Sequence, residues 1–220
     1  MALNKLKFNS LNVTPTAGKT IGFNSSANGL EATFSGGAMT FIKKLTASSS
    51  STLSFVDGSS DVVLDNTYKE YLFLFKDIHP GTDDKHFQFQ GSTNTGSSYG
   101  VSQTSTALYN YNSEADSGGV GYEGSQGTSL ANSTNFSTLI ARCGSGNDEC
   151  AAGFLRLFNP SSTTFVKHFI ARVHGYRYND VAEELFVAGF FNTTSAIDAI
   201  QFKMASGNID AGTITLYGIN

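Results

Sequence analysis

Four histidines, three adjacent acidic pairs and two cysteines are the residues of this chain whose types suit chemistry. The histidines are His79, His86, His168 and His174, with no His-x-x-x-His spacing among them. His168 and His174 fall on one candidate strand at an even separation. They therefore share a face but stand about 20 Å apart at the strand rise, too far to hold one ion. We expect structural or surface roles for all four. The acidic pairs are Asp83-Asp84, Asp148-Glu149 and Glu183-Glu184. Glycoside hydrolysis needs two carboxylates facing across a cleft at a set distance. Each pair here lies in a segment that reads as a turn, where adjacent acids are solvated. Calcium in the Asp83-Asp84 loop or the Asn147-Asp148-Glu149 loop would need six or more oxygens, and a solvated turn is the reading adopted for both.

Cys143 and Cys150 flank Gly-Ser-Gly-Asn-Asp-Glu. Their even count and short separation permit a disulfide stapling a hairpin loop. The alternative is two free thiols facing each other across that hairpin in a reducing compartment. Zinc is disfavoured because four ligands are needed and no histidine lies nearby. Gly118-Gly119 followed by Gly121 has no helix after it, so it does not make a phosphate cradle. No P-loop occurs. The expectation is a protein without catalytic residues, metal or cofactor.

The elements that would position these groups read as strands. Period-two alternation marks a half-buried strand. It runs through Thr40–Thr46, Leu53–Val56, Tyr68–Ile78, Lys85–Gly91, Asn135–Arg142, Ala151–Phe158, Phe165–Tyr178 and Leu185–Phe191, with a shorter stretch at Leu108–Tyr111. Tyr68–Ile78 is apolar on both faces, Tyr71, Phe73 and Phe75 on one and Leu72 and Leu74 on the other. It belongs in the middle of a sheet, covered on both sides or against a subunit. Asp180–Leu185 is the one candidate helical turn. The C-terminus alternates twice, in Ile197–Met204 and Thr213–Ile219, around the turn signal Ser206-Gly207-Asn208. It reads as a closing hairpin whose last strand docks inside a sheet. Nine to eleven strands, with no helical pattern of ten residues between them, predict an all-β, jelly-roll-like antiparallel β-sandwich over residues 39–220.

Residues 1–38 differ. Glycines punctuate the segment, Pro15 interrupts any strand through it, and the apolar residues Leu6, Phe8, Leu11 and Val13 are scattered. With candidate strands only near Lys5–Val13 and Thr20–Asn24, it reads as an extended N-terminal arm that needs its own domain or a neighbour to cover it. Tyr109, Tyr111 and Tyr122, among Gly, Ser, Thr and Asn, are read as loop aromatics suited to binding sugar or protein.

Composition narrows the partners. The 220-residue chain carries a net charge of −4, 15% charged residues, 18 Phe and no Trp. Charged residues are sparse against the usual ~25%, and Ser, Thr, Asn and Gly replace them. No basic block exists beyond Lys43-Lys44, which argues against nucleic acid. No run approaches the length of a membrane-spanning helix. Met1-Ala-Leu-Asn-Lys-Leu-Lys lacks the apolar core of a secretory signal.

Several stretches carry a resemblance. Phe41–Phe55, Asp65–Phe73, Phe158–Thr164, Phe191–Ile197 and the ending Gly207–Ile219 resemble a group of virion structural proteins of marine tailed bacteriophages. Phe8-Asn-Ser-Leu-Asn-Val-Thr-Pro and Gly22–Glu31 resemble leaders of that group. The resemblance implies a non-enzymatic structural protein assembled in the host cytoplasm and placed on the virion, either as a capsid cement or decoration protein or as a tail-fibre component. A homotrimer contacting the major capsid protein or other virion subunits is the expected assembly. The alternative is a tail-fibre or receptor-binding module presenting its tyrosines to a host surface glycan.

Overall fold

The computed structural model describes residues 20–23, 26, 29–33 and 38–219. The chain divides into two units, Met1–Thr40 and Phe41–Asn220. The first contributes a small antiparallel hairpin, β1 (Thr20–Phe23) with β2 (Leu30–Thr33), in which Phe23 faces Leu30. Ile21, Phe23 and Leu30 are all exposed. A lone two-stranded hairpin is marginal in water. The expected strand near Lys5–Val13 lies outside the described residues.

The second unit is an all-β antiparallel sandwich with no helix among the described residues. Its strands are β3 (Met39–Thr46), β4 (Leu53–Val56), β5 (Glu70–Pro80), β6 (Lys85–Ser92), β7 (Gln103–Ser113), β8 (Gly118–Tyr122), β9 (Ser137–Cys143), β10 (Ala151–Phe158), β11 (Lys167–Arg177), β12 (Val181–Phe191), β13 (Ala199–Met204) and β14 (Ile209–Ile219). The larger sheet runs β3-β14-β5-β10-β11-β12-β7-β8, and the smaller β9-β6-β13-β4. They join at a corner where Arg177 near the end of β11 pairs with Cys143 of β9.

Phenylalanine fills the space between the sheets. Phe202 of β13 has five aromatic neighbours, Phe55, Phe73, Phe75, Phe87 and Phe89, at ring-centroid distances of 5.3 to 6.4 Å. All but Phe75 are fully buried. These rings come from β4 and β6 of the smaller sheet and β5 of the larger, so they fasten the sheets face to face. Val62 and Leu64 form no strand, but both are buried in the loop after β4.

Four expectations are corrected. Asp180–Leu185 is not helical: Asp180 takes a left-handed φ of 59° in a tight turn and β12 starts at Val181. The last two strands are no hairpin, since β13 pairs with β4 and β6 while β14 lies between β3 and β5. The turn at Gly207 (φ 75°) carries the chain from one sheet to the other. β9 and β10 likewise sit on opposite sides of β11. Among the described residues of 39–220 twelve strands form where nine to eleven were expected, because the glycine-rich β8 and the hydroxyl- and amide-rich β7 alternate too weakly to be seen in full.

The strand between β9 and β10 also decides the cysteines. Tyr176 of β11 donates its N–H to Cys150 O on one side and accepts from Gly144 N on the other. Flanking one strand places the two cysteines about 10 Å apart, beyond the ~7 Å Cα limit for a disulfide. Both are free thiols. Burial pushes the Cys143 thiol up to about 12, so it is unreactive.

Candidate interaction surface

The strands of the larger sheet alternate between a face packed on the phenylalanine core and an outer face. Their register lines up one row on the outer face across seven strands: Thr215, Leu74, Phe154, Arg172, Phe186, Leu108 and Tyr122. A second row beside it holds Tyr217, Leu72, Arg156, Ile170, Ala188 and Thr106. Val120 extends the surface on β8 and is 79% exposed, with Tyr122 at 62% and Leu108 at 56%. Phe186 and Ile170 are also exposed, whereas Leu72, Leu74 and Phe154 are half-buried. An open depression of about 460 Å³ lies beside the second row, lined by Thr104, Thr106, His168, Ile170, Ala188 and Phe190. A continuous apolar surface of this kind is a candidate interaction site.

The two arginines do not make the surface cationic. Arg172 pairs with Glu184 and stacks its guanidinium 4.9 Å over the Phe186 ring. Arg156 pairs with Glu70 and lies over Phe158. Each charge is met by a carboxylate on a neighbouring strand, leaving the face apolar and neutral overall.

The sequence-level candidates are scattered by the fold. Leu6, Phe8, Leu11 and Val13 lie outside the described residues. Tyr109 and Tyr111 sit on β7 rather than in a loop, with rings stacked 6.1 Å apart. Across the ladder from them are Gly121 and Gly119. A Cβ at Gly121 would come within 3.0–3.2 Å of the Tyr109 ring and hydroxyl. Glycine there lets the tyrosine lie flat on the neighbouring strand. Tyr122 points to the opposite, outer face and is the one expected tyrosine that joins the apolar rows. Leu74, Phe154, Phe186 and Leu108 were missed as a surface. Their signal was present in strands apolar at both parities, which report cover on both sides.

The acidic pairs fasten the fold instead of converging. Asp83 accepts from Ser145 N and Asp84 pairs with Arg142, tying the turn after β5 to β9 and the cysteine loop. Glu183 and Glu184 are corrected from a turn to strand β12, where they point to opposite faces. His168 and His174 share the outer face, as their spacing requires. Among the described residues no three His, Cys, Asp or Glu side chains gather as metal ligands.

Among the described residues Glu183 is the one buried acid, on the inner face at the corner where the sheets join. Arg177 Nη1 donates to its Oε1 at 3.3 Å, while Glu183 Oε2 and Arg177 Nε are buried without a partner. Burial pushes its carboxyl up to about 7 from 4.5, against the pull of Arg177 and with a further push from Glu123. A raised folded-state value means that the native state holds this proton more tightly than the unfolded chain. Stability from this group is therefore greatest below pH 4.5 and falls as pH rises through about 7. The gap corresponds to about 3 kcal/mol across that window. His86, pulled down by burial, works in the opposite sense at lower pH. The isolating measurement is chemical denaturation of wild type and Glu183→Gln at matched pH between 5 and 8. We expect the difference between them to shift by about 2–3 kcal/mol over the range. A pH-independent difference would place the proton elsewhere.

No family model, no curated protein and no solved structure matches the chain. Fold and surface together define a class: an all-β sandwich with a broad, neutral, apolar outer face.

Proposed function

We propose that the chain is a non-enzymatic structural protein of a tailed-bacteriophage virion, a capsid cement or decoration protein acting through its N-terminal arm and its sandwich. The observation that carries this reading is the apolar outer face, which spans seven strands of the larger sheet and carries side chains exposed among the described residues. A protein built for dense assembly has use for such a surface. The exposed hairpin residues Ile21, Phe23 and Leu30 add a second apolar surface that gains stability from a neighbour. The motif resemblance to virion proteins supplies the setting, with the major capsid protein or other virion subunits as partners. The glycan-binding alternative draws less support, because Tyr109 and Tyr111 lie within strand β7 with their rings on β8, and Tyr122 faces away from them.

The test is attachment to purified particles, followed by electron microscopy with labelled protein. The full chain should decorate heads at a copy number comparable to the major capsid subunit. Deletion of residues 2–38 should leave a folded body that no longer attaches. Label confined to tail tips would favour the receptor-binding reading, and full decoration by the deleted protein would move the anchor from the arm to the sandwich.

A further inference from the structure

We infer that the occupant of the apolar outer face is the same face of a second copy of this chain, packed sheet on sheet about a two-fold axis. This names a partner for the surface on which the proposed function rests, yet it concerns the free protein and is tested without the particle.

Size is the first argument. Seven strands at about 4.8 Å spacing make the apolar rows about 29 Å long, and the two rows, each taking about 6.6 Å of strand, are about 13 Å deep, an apolar core on the order of 400 Å². A standard stable interface removes about 800 Å² per partner, with an apolar core and a polar rim. Here Thr104, Asn110 and Asn112 on one side and Thr213 on the other supply that rim. The dimensions suit a rigid sheet of equal size and greatly exceed the footprint of a single strand or small ligand.

Charge is the second argument. The arginines within the rows are already neutralised by Glu184 and Glu70. A polyanion finds no free cation in these rows, and a basic peptide finds no free acid. The fitting partner is apolar, flat and neutral, which is what a second copy offers.

Symmetry is the third. β11 is the middle strand of the row, with β10, β5 and β14 to one side and β12, β7 and β8 to the other. An in-plane two-fold along β11 sets Phe154 over the partner's Phe186 and Leu74 over the partner's Leu108. Thr215 then meets the partner's Tyr122. The arginine on the axis keeps its charge paired with Glu184 and its plane on Phe186. Facing sheets then pack at about 10 Å, the separation at which side chains of two sheets interdigitate. The arrangement is isologous and closes at two copies, in place of the three-fold assembly that the resemblance implies.

The experiment is sedimentation equilibrium of the purified full chain, compared with Phe186→Glu and Leu108→Glu, singly and together. Both side chains are exposed in the single chain, so the variants are expected to fold, and circular dichroism with a melting curve verifies this. Wild type should be a dimer. The double variant should weaken association by roughly 100-fold or more, as loss of central apolar contacts does. As a control for a general charge effect, Phe165→Glu, exposed but in the loop before β11, should leave the dimer intact. In a second readout, Leu74→Cys mixed with Leu108→Cys should form an intermolecular disulfide under mild oxidation, mapped by mass spectrometry against Cys143 and Cys150. A monomeric or trimeric wild type, or a dimer untouched by the double variant, overturns the inference. None of those outcomes bears on decoration of particles, which is measured separately.

Discussion

A chain ending at Gly212 will not fold. The truncation removes Ile214 and Leu216, both fully buried, together with Tyr217 and Ile219. Replacing one such aliphatic side chain by alanine typically costs about 2–5 kcal/mol. Losing two, with the backbone that carries them, exceeds much of the ~5–15 kcal/mol by which domains are stable. The ladder makes matters worse. β14 lies between β3 and β5, so its loss detaches β3 and strips β5 of one partner from Glu70 to Lys76. The buried face of β5 carries Tyr71, Phe73 and Phe75, and a sheet opened beside them exposes the aromatic core. Expression of residues 1–212 should yield insoluble protein, or a soluble species without a cooperative melt. A soluble truncant with a sharp thermal transition would make the strand peripheral and contradict its central position.

Phe202→Ala should be the most damaging single substitution in the smaller sheet. Its ring is packed among five others, and edge-to-face or tilted contacts join it to Phe55, Phe73 and Phe75. Those partners come from both sheets, so the cavity would open at the contact that holds the layers together. Phe→Ala in a packed core costs about 3–5 kcal/mol. For a body of this size that lowers Tm by about 10 °C or more. Phe165→Ala provides the comparison: its side chain is 69% exposed, and its loss should change stability by less than about 0.5 kcal/mol. Thermal and denaturant unfolding of the two variants decides the matter. Equal effects would mean that the core tolerates repacking around position 202.

Local pattern reached far along this chain. Alternation of apolar and polar residues located β4, β5, β6, β10 and β11 to within a few residues, since a strand buried on one face records that face at every second position. Ala151–Phe158 matches β10 residue for residue. The two-sided apolar character of β5 also carried a lesson that the structure makes concrete: Tyr71, Phe73 and Phe75 fill the core, while Leu72 and Leu74 belong to the outer rows. Where side chains are small or hydroxylic, as in Gly118–Tyr122, the same periodicity is too faint and the strand went unseen.

Pairing was beyond reach of the sequence. A strand's alternation states that one face is buried but not which strand lies beside it, and neighbours in sequence are only a default. That default failed at β9–β10 and β13–β14, where the chain crosses between sheets, and with it went the hairpin that would have brought Cys143 and Cys150 together. Glu183 and Glu184 show the same limit at the level of one dipeptide: as a turn both would be solvated, but as strand residues one is buried beside Arg177 and the other sits outside beside Arg172. The sequence alone determined the all-β class and the docking of the last strand inside a sheet, because those follow from composition and period. Only the tertiary structure decided that Leu74, Phe154, Phe186, Leu108 and Tyr122, drawn from five strands, form one surface. Their alignment depends on inter-strand register, which is set by the packing of the whole sandwich and leaves no mark within any single strand.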